Sequence, residues 1–349
     1  MPSAADQIAS AIADGGGAIR FDRFMDLALY GEHGFYSVGG SAGRRGDFIT
    51  SPEVGPLFGA VLARWIEAQF VQCGSPDSFQ VIEIGAGPGT LARSVLAHWA
   101  RTGGHRFAYT AVEVSAAQRA AHPVGITSIE AMPVAPLTGV VIANEVLDNL
   151  PMRLLVFDGE WREAFVAGNC DRFVEVLQPL DDPPPWLPSS AGHGARVPWQ
   201  QRALEWVEAT RARIEFGAIV AFDYVTPRTA DLAAVPWRQW LRTYRGHQRG
   251  AHYLADVGRQ DITAQLALDQ LPEPQLIRTQ AQFLRRWGID ELVDEGRGAW
   301  SVASAAPTVA AMTMRSRVRE AEALLDPAGL GGFVVLEWAG ERPHSYPGG

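Results

Sequence analysis

The stretch VIEIGAGPGTLA, residues 81–92, places three glycines at alternate positions between an apolar run and a helix-like run. Gly85, Gly87 and Gly89 can turn the chain sharply, and they allow a ligand to lie against the backbone at a helix N-terminus. Glu83 lies inside the apolar run, where a charge needs a partner. That partner is either a set of backbone donors in the glycine loop or the amino group of a ligand. A buried salt bridge is the structural alternative.

The spacing of the glycines limits the kind of nucleotide that the loop can hold. A dinucleotide fingerprint, G-x-G-x-x-G, needs a small third residue where helix and strand pack closely, and Thr90 occupies that position. No Lys-Ser or Lys-Thr pair follows the glycines, which excludes a P-loop. The loop therefore predicts a nucleotide-like ligand without a strong signal for pyrophosphate.

Polar side chains also follow the neighbouring apolar runs. Glu113 ends AYTAVEV (108–114), where its carboxylate can accept both hydroxyls of a ribose, although a solvated strand-end acid is the simpler interpretation. The segment IANEVLDNLPMR contains Asn144, Glu145, Asp148 and Asn149 within six residues. Helix capping and helix-dipole pairing account for one or two of these four. All four beside a glycine loop favour a functional role.

Strand-like runs alternate with helix-like runs along the chain. The strands are predicted at 80–84, 108–114, 139–144 and 218–224, and helices at Phe21–Tyr30 and from Pro56 onward. This alternation predicts an α/β fold with a doubly wound, Rossmann-like sheet. Three further segments complete the predicted fold. They are a strand and helix in QLIRTQAQFLRRWGI, a helix at 313–326, and a final strand in GGFVVLEW that closes the sheet antiparallel.

Two interruptions of this alternation indicate inserts. The pair Asp158-Gly159 between strand-like runs predicts a short hairpin, and the proline-rich stretch that follows excludes regular structure. We expect a helical segment at 1–75 and a core at 76–349. The core carries inserts at 151–200 (hairpin and proline-rich loop) and 227–270.

Composition excludes several classes of protein. The net charge is −9, without a basic cluster, which argues against a nucleic-acid partner. Cys73 and Cys170 are far apart and outside any C-x-x-C or His-rich spacing, so neither a disulfide framework nor a metal site is expected. No signal-like or long apolar segment is present, which predicts a cytoplasmic protein without a membrane partner. The oligomeric state is not indicated.

These residues together resemble a class I S-adenosylmethionine-dependent methyltransferase. More specifically, GDFITSPEVGPLFG (46–59), IEIGAGPGTLA (82–92) and ANEVLDNLPMR (143–153) are similar to motifs of the MidA family, which includes a mitochondrial methyltransferase that assists complex I assembly. Matches continue in YRGH (244–247), QDITAQL (260–266) and TQAQFLRRWGI (279–289). The chain departs from the family pattern at Ser94, Val225 and Val257.

The resemblance implies S-adenosylmethionine as cofactor and an arginine side chain of a protein as acceptor. On this interpretation the segment 1–75 covers the cofactor, and the insert 227–270 lies on the acceptor side. Carboxylates would then hold the guanidinium, localise its charge and accept the proton, since free arginine is a poor nucleophile. The expected catalytic residues are Glu145, Asp148 and Asn149, and the expected substrate contacts are Glu53, Tyr244 and His247. The expected cofactor contacts are Glu83, Gly85, Ala86, Gly87, Gly89, Glu113, Val114, Asn144, Thr50 and Ser51.

Two other functions stay open at this point. A small-molecule N- or O-methyltransferase could use the same cofactor half with a different acceptor side. A non-catalytic binding or assembly protein could retain the fold, although it would have no need for both an open glycine turn and a ribose acid.

Overall fold

The structure is a computed structural model, and it describes residues 2–38, 50–104, 107–246, 248–304, 306 and 308–340. The α-helices are α1 (Ala4–Asp14), α2 (Phe21–Tyr30), α3 (Ser51–Val54), α4 (Pro56–Gln72), α5 (Thr90–Thr102), α6 (Ala116–Arg119), α7 (Gln201–Arg213), α8 (Thr229–Ala233), α9 (Gln280–Arg286), α10 (Ile289–Ala303) and α11 (Val309–Leu325). Short 3₁₀ turns lie at Leu147–Asn149, Trp237–Gln239, Leu268–Gln270 and Leu330–Gly332.

The strands, in chain order, are β1 (Ala18–Arg20), β2 (Gln80–Ile84), β3 (Ala108–Val112), β4 (Thr127–Ile129), β5 (Leu137–Asn144), β6 (Arg153–Phe157), β7 (Trp161–Asn169), β8 (Arg172–Pro179), β9 (Arg196–Trp199), β10 (Ile214–Asp223), β11 (Val225–Thr226), β12 (Leu241–Arg245), β13 (Gln248–Arg249), β14 (Asp261–Ala264), β15 (Leu266–Ala267), β16 (Leu276–Thr279) and β17 (Val334–Ala339). The strand predicted at 80–84 is β2, with the same bounds. The helices predicted at Phe21 and Pro56 are α2 and α4.

The main sheet has seven strands in the order β16-β17-β10-β5-β2-β3-β4. The five strands from β10 to β4 are parallel to one another, and β17 runs antiparallel to both β10 and β16. This confirms the predicted α/β doubly wound sheet and its antiparallel final strand. The chain order reverses between β5 and β2, which is where an open sheet of this kind binds its ligand.

Both faces of the main sheet are covered, as the near-continuous apolar runs of its strands require. Val140 and Ile142 of β5 pack into the cluster that α4 and α5 cover, whereas Val141 and Ala143 pack into the cluster beneath α7. Each fully buried aliphatic side chain contributes roughly 1.5–3 kcal/mol relative to exposure. Because successive side chains of β5 point to opposite faces of the sheet and both faces are apolar, a layer of helices packs on each side of β5.

The second sheet contains β1, β7, β6 and β9, with β8 paired to β7, and its pairs are antiparallel. The turn of the β6–β7 hairpin contains Asp158 and Gly159, as predicted, and no helix or strand lies between β8 and β9. A third cluster joins this sheet to α1, α2 and the later insert, through Trp240 and Tyr253. The expected N-terminal segment is thus divided, because α4 packs on the main sheet instead. In the described ranges, every helix is too short or too polar to cross a bilayer.

The close approach of β5 to its neighbours gives a stability prediction. A Cβ on Gly139 would lie 1.9 Å from the carbonyl oxygen of Gln80 on β2, and a Cβ on Gly217 would lie 1.7 Å from the carbonyl oxygen of Gly139. The atoms that a new Cβ would meet belong to the backbone, so the strands themselves would have to move apart. We therefore expect Gly139→Ala to lower the free energy of unfolding by about 3 kcal/mol. Urea denaturation measures this change.

Gly192→Ala is the matched control, since a Cβ there meets nothing within 4 Å. Its free energy of unfolding should change by less than about 0.5 kcal/mol. Equal stability of the two variants would contradict the packing described for β5.

Candidate functional site

A cleft lies at the carboxyl ends of β2, β3 and β5, and its empty volume is about 1140 Å³, including space open to solvent. Segments from six parts of the chain form its walls: the end of α2 with the residues after it, the start of α3, the glycine loop, the residues that follow β3, the residues that follow β5, and Trp206 of α7. Its lining residues are Tyr30, Tyr36, Thr50, Pro52, Glu53, Glu83, Ile84, Gly85, Ala86, Gly87, Pro88, Thr90, Leu91, Val112, Glu113, Val114, Gln118, Asn144, Glu145, Val146, Asn149, Leu150 and Trp206.

The glycine loop connects β2 to α5 in a conformation that suits glycine. Gly85, Gly87 and Gly89 have φ values of +65°, +53° and +79°. Gly85 and Gly87 line the cleft, whereas Gly89 lies behind it, where a Cβ would come within 2.9 Å of Pro123. The first two glycines therefore keep the backbone open toward a ligand, and Gly89 allows the packing that begins α5.

Glu113 fixes the position of this loop. One carboxylate oxygen accepts a hydrogen bond from the amide of Gly87 at 2.9 Å, and the other accepts one from the amide of Ser115 at 2.8 Å. The carboxylate also borders the cleft at the end of β3. It is therefore Glu113 that receives the loop hydrogen bond expected for Glu83.

Glu83 has a different partner. The hydroxyl of Tyr109 donates to its Oε2 at 2.7 Å, in a setting where both side chains are buried. Burial raises the pKa of Glu83 to about 8, and the hydrogen bond from Tyr109 partly opposes this. A backbone hydrogen bond from Ala92, in α5, also lowers the pKa of Glu83. Of the three partners expected from the sequence, the glycine-loop amides and a salt-bridge cation are not the donors found here, and the amino group of a ligand stays a prediction.

The raised pKa of Glu83 predicts how stability depends on pH. Because its pKa is about 8 in the folded chain and 4.5 ordinarily, the folded state binds more protons than the unfolded state between these values. Glu83 therefore contributes its full stability below that window and loses it as the pH rises. In urea titrations of the ligand-free protein, Glu83→Gln should reduce the slope by at most about 1.4 kcal/mol per pH unit.

The exposed Glu130 provides a control for this titration, since 72% of its side chain is accessible. Glu130→Gln should retain the pH slope of the unmodified chain. A Glu83→Gln slope equal to that of the control would show that the carboxyl is not titrating in this window.

Asn144 and Glu145 bring polar groups from the end of β5 to the cleft. Glu145 has a left-handed φ of +53°, while its amide still donates to the carbonyl of Phe222 at 2.8 Å. The side-chain amide of Asn144 donates to Glu145 Oε1 at 3.2 Å. Burial raises the pKa of Glu145 well above its ordinary value, and the charge of Asp148 adds to this.

Asp148 and Asn149 follow in the 3₁₀ turn, but only Asn149 lines the cleft. The amides of Leu147 and Asp148 both donate to Asp223 Oδ2, at 3.1 and 3.2 Å, which holds the turn against the end of β10. Burial, followed by the charges of Asp223 and Asp261, raises the pKa of Asp148 well above its ordinary value. The expected direct contact of Asp148 with an acceptor is therefore not what this geometry gives, because its side chain is buried behind the wall.

The N-terminal residues of the expected site divide in the same way. Thr50 and Glu53 line the cleft, whereas Ser51 is fully buried and its hydroxyl donates to Gln280 Oε1 at 2.8 Å. The backbone amide of Ser51 lowers the pKa of Glu145 by hydrogen bonding. The side chain of Ser51 thus has a structural partner, and its backbone supports the cleft acid.

Of the two residues expected on the acceptor side, Tyr244 lies in β12, opposite Asp261 of β14, and outside the cleft lining. His247 lies outside the described residues. The structure therefore does not bring Tyr244 to the site.

Tyr30, Tyr36 and Asp261 are among the residues of the cleft region that were not assigned a role from the sequence. Tyr30 and Tyr36 stack with ring centroids 5.4 Å apart, and both line the cleft. Asp261 Oδ1 accepts hydrogen bonds from the Tyr36 hydroxyl at 2.9 Å and from Asn149 Nδ2 at 3.0 Å. The sequence features that could have indicated these residues are the aromatic residues of and after α2 and the motif QDITAQL. Neither feature shows that the two segments, which are distant in sequence, contact each other.

A family model described as "Putative S-adenosyl-L-methionine-dependent methyltransferase" matches residues 61–285, which is more than half of the chain. The chain belongs to this family. The resemblance, the enzyme class and the cofactor predicted from the sequence are thereby confirmed at the level of the family.

Solved structures support the same assignment over nearly the whole chain. The fold is similar to that of a protein from Burkholderia thailandensis whose crystal structure contains S-adenosyl-homocysteine. That similarity has a TM-score of 0.81 and 26% sequence identity, and it covers 96% of this chain and 91% of the other. A native structure from the same organism gives a TM-score of 0.79 with the same coverage.

Curated relatives match over a much shorter region. A Drosophila melanogaster protein named "Protein arginine methyltransferase NDUFAF7 homolog, mitochondrial" is 48% identical over 63 residues, which are 18% of this chain. The human protein of the corresponding name is 40% identical over 63 residues. The match spans 14% of the length of each relative.

The names of these relatives also correct one expectation. A cytoplasmic location was expected because no targeting or apolar segment is recognisable in the sequence. That expectation is wrong by this comparison, since the matching curated relatives are named as mitochondrial proteins.

Proposed function

We propose that the protein transfers a methyl group from S-adenosylmethionine to a guanidinium nitrogen of an arginine in a protein acceptor. The observation that carries this proposal is the set of carboxyls that lines the cleft. Among the described lining residues, tyrosines aside, the acidic or basic side chains are the carboxyls of Glu53, Glu83, Glu113 and Glu145. A sulfonium and a guanidinium are both cations, and a bound cation stabilises the ionised form of a nearby carboxyl, including those of Glu83 and Glu145, whose pKa burial raises in the ligand-free chain. The names of the curated relatives support the arginine acceptor.

The residues around the glycine loop fit the cofactor. A Cβ on Gly85 would come within 2.9 Å of Val146, and a Cβ on Gly87 within 3.3 Å of Gln118, so the glycines keep the space above the loop open. Asn144 Oδ1 is buried and has no hydrogen-bond partner among the described residues. We assign the methionine part to the loop and Asn144, and the ribose to Glu113.

Other cleft residues would complete the cofactor site. Thr50 lines the cleft just before α3, and Ala86 belongs to the loop itself. Glu53, which lies on α3, we keep as a substrate contact. Val114 follows Glu113, is 44% exposed, and offers apolar surface to the adenine. We assign Gly89 and Ser51 supporting roles, because neither lines the cleft.

Glu145 is the residue to which we assign the chemistry. The bound cofactor supplies a methyl group already activated on a sulfonium, so the protein mainly has to align the acceptor nitrogen, at about 3 Å. The carboxylate of Glu145 holds the guanidinium and lowers the share of positive charge on the attacking nitrogen. As the S–CH₃ bond breaks and the N–CH₃ bond forms, a guanidinium proton is released and Glu145 accepts it.

The neighbouring residues would position this group and tune it. Asp148, buried behind the wall, raises the pKa of Glu145 and so increases its affinity for the proton. Asn149 donates to Asp261 and thereby fixes the wall beside Glu145. The stacked rings of Tyr30 and Tyr36 offer an aromatic surface to a cation. These are positioning roles rather than catalytic ones.

Cofactor binding is tested with Gly87→Val. A valine at φ +53° is strained and places a branched side chain at the cleft, so we expect S-adenosylmethionine affinity to fall by at least about tenfold in titration calorimetry. Gly103→Val is the matched control: it has a φ of +69°, but a Cβ there meets nothing within 4 Å. Unchanged affinity in Gly87→Val would remove the loop from the cofactor site.

Catalysis is tested with Glu145→Gln, using labelled cofactor and lysate from a strain that lacks the gene. The variant should bind cofactor normally, while label released as methylarginine after acid hydrolysis should form about 10²–10⁴ times more slowly. The initial rate of the unmodified enzyme should rise with pH through the raised pKa of Glu145, because the ionised carboxylate is the base. Glu145→Gln should lack that rise.

Glu130→Gln serves as the control for this assay, since Glu130 is exposed and outside the cleft lining. Full activity of Glu145→Gln would exclude the role proposed for Glu145. Label confined to small molecules would instead support a small-molecule methyltransferase and reject a protein acceptor.

A further inference from the structure

The peptide bond between Gly87 and Pro88 lies in the middle of the glycine loop. The nitrogen of Pro88 carries no hydrogen, so the carbonyl oxygen of Gly87 is the one atom of this peptide that can take part in a conventional hydrogen bond. The amide of Gly87 belongs to the preceding peptide, and it donates to Glu113 Oε2 at 2.9 Å. The contact of the Gly87 carbonyl therefore decides how the second half of the loop is held.

That carbonyl has a partner in His122. Nε2 of His122 lies 2.8 Å from the Gly87 oxygen, and Nδ1 lies 2.8 Å from the hydroxyl oxygen of Ser128. Because a carbonyl oxygen can only accept, Nε2 carries a hydrogen and donates it to Gly87. In the neutral imidazole Nδ1 accepts from the Ser128 hydroxyl, and in the imidazolium it donates to that oxygen. Both protonation states therefore keep the contact with the loop.

The segment that carries His122 follows α6 and packs behind the loop. A Cβ on Gly89 would come within 3.2 Å of Cδ2 of the His122 ring. Arg119 Nη1 donates to the carbonyl of Glu113 at 2.6 Å, which ties the same segment to the chain that leaves β3. His122 itself does not line the cleft. It therefore acts on a ligand only through the loop.

The two polar groups of Gly87 are held from two different strands. Its amide donates to Glu113, which directly follows β3, and its carbonyl accepts from His122, which contacts Ser128 of β4. β4 is the outer strand of the main sheet, and it pairs with β3. The loop is therefore tied to one edge of the sheet through an imidazole that lies outside the cleft.

We propose that His122 is a positioning residue for the cofactor, because its imidazole holds the Gly87–Pro88 peptide in the conformation that leaves the loop open to S-adenosylmethionine. Glycines give a free loop many accessible conformations. Without this hydrogen bond only a fraction of the ligand-free molecules keeps the competent one, and the apparent Kd rises as that fraction falls. The inference rests on the proposed function, since it takes the cleft as the cofactor site.

The test is titration calorimetry of the full chain with S-adenosylmethionine and with S-adenosylhomocysteine. His122→Ala should weaken the binding of both by about three- to tenfold, the range that one hydrogen bond supplies. His122→Gln should restore most of the affinity, because its side-chain amide can donate from about the position of Nε2. His122→Asn is one methylene shorter, so it should not restore it.

His193→Ala is the matched control. The side chain of His193 is 83% exposed and lies outside the cleft lining, so this variant should bind both ligands as the unmodified chain does. In ¹⁵N-labelled protein, correlation spectra of the imidazole should show Nε2 of His122 as a protonated nitrogen. The His122→Ala variant assigns that signal by its loss.

Kinetics separate positioning from a purely structural role. In the labelled-cofactor assay His122→Ala should raise the KM for S-adenosylmethionine by the same factor as the Kd, while kcat at saturating cofactor stays within about twofold. A structural role alone would lower the free energy of unfolding in urea, but the molecules that remain folded would bind cofactor normally.

Three results would overturn the proposal: unchanged affinity in His122→Ala, no recovery in His122→Gln, or an Nε2 without its hydrogen. The proposed function fails in a different way. Absence of labelled methylarginine with the unmodified chain would reject the protein acceptor, even where cofactor binding depends on His122 as expected. Absence of cofactor binding by the unmodified chain would reject both.

Discussion

The position of the cleft wall depends on the carboxylate of Asp223 at the end of β10. Its Oδ2 accepts the amides of Leu147 and Asp148, and its Oδ1 accepts the amide of Tyr224 at 2.8 Å. This arrangement stops the chain that leaves β5 from continuing as a strand and turns it along the sheet edge. The carboxylate is nearly inaccessible, and burial raises its pKa to about 8. One buried acid therefore fixes the segment that carries Glu145 and Asn149.

The main sheet follows closely from the sequence because its strands are buried on both faces. Short, mainly apolar runs such as QVIEI favour a buried strand, and the glycines that follow this run mark where the strand ends. The end of β3 differs from the prediction, because the predicted strand includes Glu113 whereas β3 stops at Val112. The amide of Glu113 still donates to the carbonyl of Ile129 at 3.0 Å, while its carboxylate accepts hydrogen bonds from the amides of Gly87 and Ser115. No local pattern in the sequence reports these bonds.

The sequence indicated many of the residues that line the cleft, but it did not indicate how their side chains are arranged. Spacing alone could not separate Glu145 from Asp148, because the left-handed backbone at Glu145 changes the direction of the chain between them. The same limit applies to Ser51, whose partner Gln280 is distant in sequence. Tyr30, Tyr36 and Asp261 enter the cleft region through tertiary packing of the N-terminal helices and the later insert, which single-sequence periodicity does not register.

The hydrogen bond between Tyr36 and Asp261 joins residues separated by 225 positions. On a ribosome that adds about 5–20 residues per second, the second partner is synthesised roughly 11–45 s after the first. Within that interval the glycine loop and the acids that follow β5 are synthesised before Asp261, so they exist for a time without the wall that closes beside them. Completion of the cleft is therefore a late event in the life of the chain, and an unfinished chain cannot present the whole site to cofactor or acceptor.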